Sequence, residues 1–323
     1  MRAPFQLDLH VPNFNYPDVA PDALFERITE IVLAAEESGF SSLSVMDHLH
    51  QIPPVGPAEN YMLEGYSILS AIAARTSTIN LGLLVGGVTY RNPALVAKIA
   101  TTLDIISRGR AVLGIGAAWF EEEHKAYGFD FPPLKERFER LEDALQIFRA
   151  MFTQDVATFQ GKHFGVDGAF NNPKPIRGDI PILIGGSGEK KTLRFVAKYG
   201  DGCNLFGDVE QIKHLLGVLE NHCSDVGRDS SEITKTRLGT LFISESYEEA
   251  KALMEKVTSG AADPDRARAQ AWYGDPDSIR EQVQPYLDAG LDGITFTMPQ
   301  VHDVEKVKLA GETLSAVVGT RTA

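Results

Sequence analysis

A histidine that follows a short apolar run is the first group in this sequence suited to chemistry. His48 comes, together with Asp47, directly after the apolar run at residues 42–46. Histidine titrates near neutral pH, which suits a group that gives or takes a proton. Neighbouring residues on an extended strand point to opposite sides, so only one of the two can face a site. We therefore interpret His48 as the candidate for proton transfer, with a structural hydrogen-bonding role as the alternative.

A glycine-rich turn with the sequence Gly-Gly-Ser-Gly lies at residues 185–188, before a helix predicted to begin near Lys190. Such a turn leaves backbone N–H groups open at a helix N-terminus, where the helix dipole favours an anion. Lys190, Lys191 and Arg194 add positive charge to the first turns of this helix. The pattern predicts a phosphate site, and a flexible turn with solvated lysines is the alternative.

Two other clusters of chemically active residues are interpreted as structural. His48 and His50 lie two residues apart and suggest a metal site, but a metal-dependent barrel hydrolase needs further ligands on later strands. The fifth and sixth predicted strands end in Gly-Gly-Ser-Gly and Phe-Gly, so no metal is expected and the metal-hydrolase interpretation is disfavoured. Residues 121–124, Glu-Glu-Glu-His, are interpreted as the solvated acidic start of a helix.

The composition disfavours several classes of partner. Of 323 residues, 44 are acidic and 31 are basic, which gives a formal net charge of −13. That charge would repel a nucleic-acid backbone or an anionic lipid surface. We find no signal core and no apolar run of membrane-spanning length, so we expect a cytoplasmic protein that binds neither nucleic acid nor a membrane. The two cysteines, Cys203 and Cys223, are expected to be thiols.

Eight short apolar or β-branched runs alternate with segments of helical periodicity, which is typical of parallel βα units. Eight parallel strands close a barrel with a side-chain-filled interior. We therefore predict an α/β fold, a (β/α)8 TIM barrel with insertions, as one domain over residues 1–323. The predicted strands lie at residues 5–11, 42–46, 79–85, 110–116, 180–184, 202–206, 236–243 and 293–298.

The predicted barrel determines where a site would lie. Loops that follow the carboxyl ends of the strands build the active site of this fold. Asp47, His48 and the glycine-rich turn all lie at such strand ends. Trp119 follows the fourth predicted strand and Tyr66 follows the long second loop. Both are candidates for a ligand pocket, and ordinary packing is the alternative for each.

The motifs, taken in order, resemble the luciferase-like monooxygenase family, in particular its branch that depends on coenzyme F420, an 8-hydroxy-5-deazaflavin. The matching pieces cover nearly the whole chain. They are the segments at residues 45–48, 81–85, 90–93, 107–110, 114–119, 122–124, 127–128, 137–142, 184–188, 274–276 and 289–290.

The resemblance implies a bacterial-luciferase-like barrel that holds a flavin or deazaflavin in its mouth, and a homodimer. It places the ring against a bulge after the third strand, with a non-prolyl cis peptide at Leu84–Val85, and the cofactor phosphate on the glycine-rich turn. His48 then lies beside the reactive ring face, and His48 and Asp47 are the predicted catalytic residues. The predicted cofactor-binding residues are Leu84, Val85, Gly86, Gly116, Ala117, Gly185, Gly186, Ser187 and Gly188.

Three positions depart from the family pattern. Sugar-phosphate dehydrogenases of the family carry a tryptophan and a glutamate where this chain has Ile52 and Ala117, which disfavours oxidation of a sugar phosphate. Many relatives have glycine where Ala118 stands, so its methyl group is expected to alter the packing of the cofactor or of Trp119.

We therefore expect an oxidoreductase that transfers a hydride between C5 of the deazaflavin and an apolar small organic molecule. His48 is expected to donate a proton or to hydrogen-bond the ring. The alternatives are an FMN-dependent monooxygenase of the same family and a non-catalytic flavin-binding protein of the same fold. The predicted wall of the substrate pocket consists of His10, Tyr66, Trp119 and Phe206.

Overall fold

Strands and helices alternate along the computed structural model, which describes residues 4–261 and 263–318. The strands are Leu7–Val11 (β1), Ser42–Val45 (β2), Asn80–Leu83 (β3), Gly86–Gly87 (β4), Ala111–Gly116 (β5), Ala157–Gln160 (β6), Gly165–Ala169 (β7), Ile182–Gly185 (β8), Gly202–Leu205 (β9), Thr234–Ile243 (β10), Ala271–Gly274 (β11) and Gly293–Thr297 (β12). The helices are Leu24–Ser38 (α1), Gly65–Ala73 (α2), Pro93–Ser107 (α3), Glu121–Tyr127 (α4), Leu134–Thr153 (α5), Thr192–Tyr199 (α6), Val209–Val226 (α7), Tyr247–Ser259 (α8), Pro264–Ala269 (α9), Pro276–Asp288 (α10) and Val304–Val318 (α11). Among these helices, none combines the length and the apolar character needed to cross a membrane.

Eight strands close into a parallel barrel. β1 pairs with β2 on one side and with β12 on the other. The order continues through β3, β5, β8 and β9 to β10, which pairs with β12 and completes the circle. The predicted TIM barrel is therefore confirmed, and each of the eight predicted runs overlaps one barrel strand.

The third predicted strand is interrupted. β3 ends at Leu83, the peptide Leu84–Val85 is cis, and β4 then pairs with β5. The predicted position of the cis peptide is thus confirmed. Three further strands were not predicted. β11 adds to β10 outside the barrel, and β6 and β7 form a separate antiparallel pair whose half-exposed, glycine-rich residues give a weak strand signal.

Alternate side chains of β1 lie in different environments. Leu7, Leu9 and Val11 belong to the large apolar cluster between the barrel and its helices. Asp8 and His10 are also buried, and the alternation of a strand turns them to the opposite face, inside the barrel. The barrel interior therefore contains polar groups on this side.

A small apolar cluster fills another part of the interior. Phe5, Val112 and Leu183 are buried together, and the partly buried Leu84 and Val85 pack against them. The two residues of the cis peptide therefore rest on apolar side chains within the barrel.

The close fit between the first strand segment and β12 can be tested at Gly293. A Cβ atom at this position would lie 1.9 Å from the carbonyl oxygen of Gln6. We expect Gly293→Ala to lower the free energy of unfolding by about 3 kcal/mol, because the backbone must move to relieve the overlap. Gly217→Ala in α7 is the control, since its Cβ would meet no atom within 4 Å.

The control should raise the free energy of unfolding by about 0.5–1 kcal/mol, as expected for alanine in place of glycine within a helix. Urea unfolding of both variants measures the two effects. Equal stability of the two variants would contradict the close approach of β12 to Gln6.

Candidate active site

The carboxylate of Glu123 is the centre of a buried hydrogen-bond cluster. Its Oε2 atom lies 3.0 Å from Nδ1 of His48 and also accepts from the hydroxyl of Tyr90. Its Oε1 atom accepts from the backbone N–H groups of Leu49, at 2.5 Å, and His50, at 3.2 Å. The side chain of Glu123 is fully buried. The predicted solvated acidic start of α4 is therefore wrong at Glu123.

The charge of Glu123 determines that Nδ1 of its partner, His48, carries a proton. Burial alone would raise the pKa of this carboxyl, but hydrogen bonds from His48, Tyr90 and the Leu49 amide outweigh it and lower the pKa of Glu123 to about 2. Glu123 is thus ionised at neutral pH and can only accept hydrogen bonds. Nδ1 of His48 must therefore carry a proton, and Nε2 is left to interact with a ligand.

Aromatic rings hold His48 from the side. The rings of Trp119 and Phe120 lie 5.7 and 5.8 Å from the His48 ring, both edge-on. The side chain of His48 keeps 14% of its surface exposed. The structure therefore places the predicted proton-transfer residue in a fixed orientation with one edge open.

The spacing of residues along α4 indicates, from the sequence, that Glu123 lies on the packed face of this helix. Phe120, Glu123, His124 and Tyr127 fall at the spacing of one helix face. His124 is also fully buried, with Nδ1 2.7 Å from the carbonyl oxygen of Phe120. Two aromatic residues on the face that carries Glu123 and His124 mark it as the packed face of α4.

Asp47 binds β4 and the loop that follows it. Its Oδ2 atom accepts from Nη1 of Arg91 at 2.8 Å and from the Gly87 N–H at 3.0 Å. Arg91 also binds Glu64 at 2.5 Å. Burial raises the pKa of Asp47 even though Arg91 opposes this shift. These contacts make Asp47 a group that orients the neighbouring loop, and a direct catalytic role stays a prediction.

Three glycines make room for Val85. A Cβ atom on Gly185 would lie 2.6 Å from Cγ2 of Val85, and one on Gly116 would lie 3.1 Å from the same atom. A Cβ atom on Gly114 would lie 3.3 Å from Cγ1 of Val85 and only 1.8 Å from the carbonyl oxygen of Leu83. Side chains at these positions would push Val85 out of its place. The glycines of β5 and β8 thus support the bulge after β3.

The glycine-rich turn keeps open backbone donors. The N–H groups of Ser187 and Gly188 bind no other residue among those the structure describes. The Ser187 hydroxyl accepts from the Phe206 N–H at 3.1 Å, which ties the turn to the loop after β9. The predicted helix start near Lys190 shifts to Thr192, because residues 189–191 form a turn first.

The loop after β5 is held by an arginine. Arg137 donates to the carbonyl oxygens of Ala117, at 3.2 Å, and of Ala118. Ala118 has φ +58°, a left-handed conformation in which glycine is favoured. This chain thus adopts with alanine a backbone conformation that glycine adopts more readily.

The predicted pocket residues differ in their burial. His10 is buried inside the barrel, whereas Trp119 and Phe206 are 57% and 40% exposed. Tyr66 is buried and lines a cavity of about 500 Å³, together with Tyr90 and other residues of neighbouring loops. His10, Trp119 and Phe206 do not line this cavity. Nothing in these positions shows a single wall made of all four residues.

Metal ligation finds no support in the described ranges. Nδ1 of His50 lies 3.1 Å from the carbonyl oxygen of Gln51. Residues 4–261 and 263–318 contain no group of three or more His, Cys, Asp or Glu residues arranged to hold a metal.

Comparison with known proteins assigns the chain to a family. Residues 6–292 match the model of the luciferase-like monooxygenases. The chain belongs to this family. It is 30% identical to an F420-dependent glucose-6-phosphate dehydrogenase of Nocardia farcinica, over 84% of this chain and 88% of the relative. A protein of the same name from Amycolatopsis mediterranei is 28% identical, over 86% of this chain and 90% of the relative.

Solved structures of luciferase-like proteins share the barrel. An F420-dependent secondary alcohol dehydrogenase in complex with an F420-acetone adduct matches with a TM-score of 0.79 and 20% identity, over 98% of this chain and 99% of that one. The EDTA monooxygenase EmoA of Chelativorans sp. BNC1 matches with a TM-score of 0.82 and 14% identity, over 98% of this chain and 94% of that one. At these identities the likeness shows the fold alone.

The ionised state of Glu123 can be tested through the pH dependence of stability. A lowered pKa adds stability above the ordinary carboxyl pKa of 4.5, and this stability is lost as the pH falls toward about 2. We expect Glu123→Gln to lower the free energy of unfolding by roughly 2–3 kcal/mol at neutral pH, because buried donors lose a charged acceptor. The deficit should shrink below a pH of about 4.5.

Denaturant unfolding over a pH series measures this difference. Glu122→Gln replaces an exposed neighbour in the same turn and should change the free energy of unfolding by less than about 0.5 kcal/mol. A deficit in Glu123→Gln that does not vary with pH would show that the buried carboxyl is not ionised.

Proposed function

We propose that this chain is a coenzyme F420-dependent oxidoreductase that transfers a hydride between C5 of the deazaflavin and a small organic substrate. The main support for the proposal is the similarity to F420-dependent dehydrogenases, at 30% identity over 84% of this chain. The same cofactor is named for structural neighbours of the barrel, among them the tetrahydromethanopterin reductase of Methanopyrus kandleri. When bound, the deazaflavin supplies the hydride chemistry.

The residues at the barrel mouth fit such a cofactor. The open N–H groups of Ser187 and Gly188 are suited to the anionic tail, because unpaired backbone amides ahead of a helix favour a negative charge. Leu84, Val85 and Gly86 would hold the ring, with Gly116 and Ala117 beside it. Glycines 116 and 185 allow Val85 to keep the position in which it would meet the ring.

His48 would hold or move the proton that accompanies hydride transfer. Its Nδ1–H is committed to Glu123 at 3.0 Å, so Nε2 is the atom that can exchange a proton with a substrate. The ionised Glu123 accepts the hydrogen bond from Nδ1 of His48 and fixes the orientation of the ring. Asp47 supports the same loop through Arg91.

The substrate class differs from that of the named relatives. Ile52 and Ala117 stand where the family's sugar-phosphate dehydrogenases carry a tryptophan and a glutamate. Ala117 offers no charged or hydrogen-bonding side chain, and its carbonyl oxygen is taken by Arg137. The exposed aromatic surfaces of Trp119 and Phe206 favour an apolar substrate. We therefore propose an apolar organic molecule rather than a sugar phosphate.

We also propose that the chain is one domain that acts as a homodimer in the cytoplasm, as expected for the F420-dependent branch of the family. Light scattering of the purified protein measures the mass of the assembly. A mass equal to the 35.3 kDa of one chain would contradict the dimer.

The cofactor assignment is tested by titrating the protein with coenzyme F420 and, in parallel, with FMN, each followed by fluorescence. We expect F420 to bind at least about tenfold more tightly than FMN. Preference for FMN would contradict the proposal and favour a monooxygenase. If bound reduced F420 is not oxidised by any of a panel of carbonyl and alkene acceptors, the chain is a binding protein.

A pair of variants in the glycine-rich turn tests the phosphate site. Gly186 has φ +113°, so any side chain there is strained. Asp and Asn impose the same strain but differ in charge. We expect Gly186→Asp to bind F420 at least about tenfold more weakly than Gly186→Asn, because the carboxylate repels the anionic tail. Equal affinities of the two variants would rule out the turn as the phosphate site.

A further inference from the structure

A second chain of hydrogen bonds lies inside the barrel. The Ser44 hydroxyl donates to Oδ2 of Asp8 at 2.7 Å, and Nδ1 of His10 lies 2.9 Å from the same hydroxyl oxygen. All three side chains are buried. Asp8 and His10 belong to β1 and Ser44 to β2, where residue 44 pairs with residue 10. The register of two barrel strands thus aligns an acid, a hydroxyl and an imidazole in a line toward the carboxyl end of β1.

The single proton of the Ser44 hydroxyl couples the two ends of this series of hydrogen bonds. When Asp8 is a carboxylate, Ser44 donates to it, so Nδ1 of His10 must carry a proton and Nε2 is a bare acceptor. When Asp8 is protonated, it can donate to Ser44, Ser44 then donates to Nδ1, and Nε2 carries the proton. The His10 ring also has a hydrogen bond with the backbone of Ser44. The charge on Asp8 therefore determines whether Nε2 of His10 donates or accepts.

We propose that Asp8, Ser44 and His10 form a proton relay in which Nε2 of His10 exchanges a proton with the substrate and Asp8 stores that proton at the inner end. The catalytic part of this proposal rests on the proposed oxidoreductase function, whereas the coupling within the relay does not.

The proton balance of the relay is simple. As a substrate atom takes the proton from Nε2 of His10, Nδ1 takes the hydroxyl proton of Ser44. Ser44 then takes the carboxyl proton of Asp8. One proton leaves Asp8 and one reaches the substrate, so His10 and Ser44 end neutral and Asp8 ends as a carboxylate. The reverse sequence accepts a proton from a substrate that is oxidised by the deazaflavin.

The surroundings of Asp8 suit a proton store. Its neighbours on the adjoining strands are the uncharged Ser42 and Ser44 of β2 and Thr295 of β12. Burial raises the pKa of Asp8 to about 7, and these hydroxyls offset only part of that rise. One oxygen of the carboxyl, Oδ1, is buried without a partner. Asp8 therefore changes its charge near neutral pH.

The surroundings of His10 keep the ring neutral. Burial is the main cause that lowers the pKa of His10 to about 3; a backbone hydrogen bond with Ser44 opposes it, and nearby His48 acts in the same direction as burial. His10 can therefore pass a proton between its two nitrogens without staying charged at neutral pH. His48 differs in its partner, because it binds the ionised Glu123 directly. The barrel thus holds two histidines with different hydrogen-bond partners.

The coupling can be measured on the protein without cofactor, by nitrogen-15 NMR of the histidine rings. As the pH rises from about 5 to about 9, His10 should change from the Nε2–H form to the Nδ1–H form, with a midpoint near the Asp8 pKa of about 7. Ser44→Ala breaks the relay between its ends and should abolish the change. Ser42→Ala removes a neighbouring buried hydroxyl outside the relay and should retain the change in His10, with its midpoint moved to higher pH because Ser42 lowers the pKa of Asp8.

Asp8→Asn is a second variant that removes the titrating group, and it should also abolish the change in His10. Circular dichroism confirms that each variant is folded. A wild-type His10 that keeps one form across the pH range would overturn the relay. A change in form that persists in Ser44→Ala or in Asp8→Asn would overturn it as well.

Turnover with F420 tests the catalytic part. Ser44→Ala should lower kcat at least about tenfold and remove the kcat transition near neutral pH, while the affinity for F420 stays unchanged. Ser42→Ala should keep the wild-type kcat and should still show a kcat transition with pH. If NMR shows the coupling but kcat of Ser44→Ala stays within about twofold of wild type, the catalytic role is wrong. A wild-type protein without any F420 turnover contradicts the proposed function, and the NMR result then decides the coupling alone.

Discussion

The site depends on one buried carboxylate that needs hydrogen-bond donors. Glu123 comes from the helix after β5, and its donors come from the loop after β2 and from the loop after β4. A buried charge is tolerated only when it is well paired. The requirement to surround Glu123 therefore fixes the relative positions of these loops, and it orients His48 as a consequence. The position of the proton on His48 follows from the charge of Glu123, with no need for a ligand.

The barrel supplies two different environments for histidine within a short distance of its mouth. His48 binds an ionised acid and sits among aromatic edges. His10 lies deeper, is linked through Ser44 to Asp8, and is kept neutral by burial. The second environment favours a neutral imidazole. A reaction that moves a hydride together with a proton can use either histidine. The two histidines differ in the acid to which each is linked, Glu123 for His48 and Asp8 for His10.

The sequence allowed prediction of the backbone more fully than of the site. The eight apolar runs located the barrel strands because strands that are buried on both faces have few alternatives, and the family resemblance located the cis peptide at Leu84–Val85. Glu123 was mistaken for a solvated residue because one of three adjacent glutamates turns inward, which only the helix face shows. Asp8 was overlooked because its partner Ser44 becomes a neighbour only through the register of β1 and β2.

A crystal structure of the complex with coenzyme F420 would show how the barrel mouth holds the cofactor. We expect the phosphate within hydrogen-bond distance of the Ser187 and Gly188 amides, and the ring against Val85. Nε2 of His48 should face the ring while Nδ1 still donates to Glu123. Coenzyme bound elsewhere in the barrel, or a His48 ring turned away from Glu123 in the complex, would refute this arrangement.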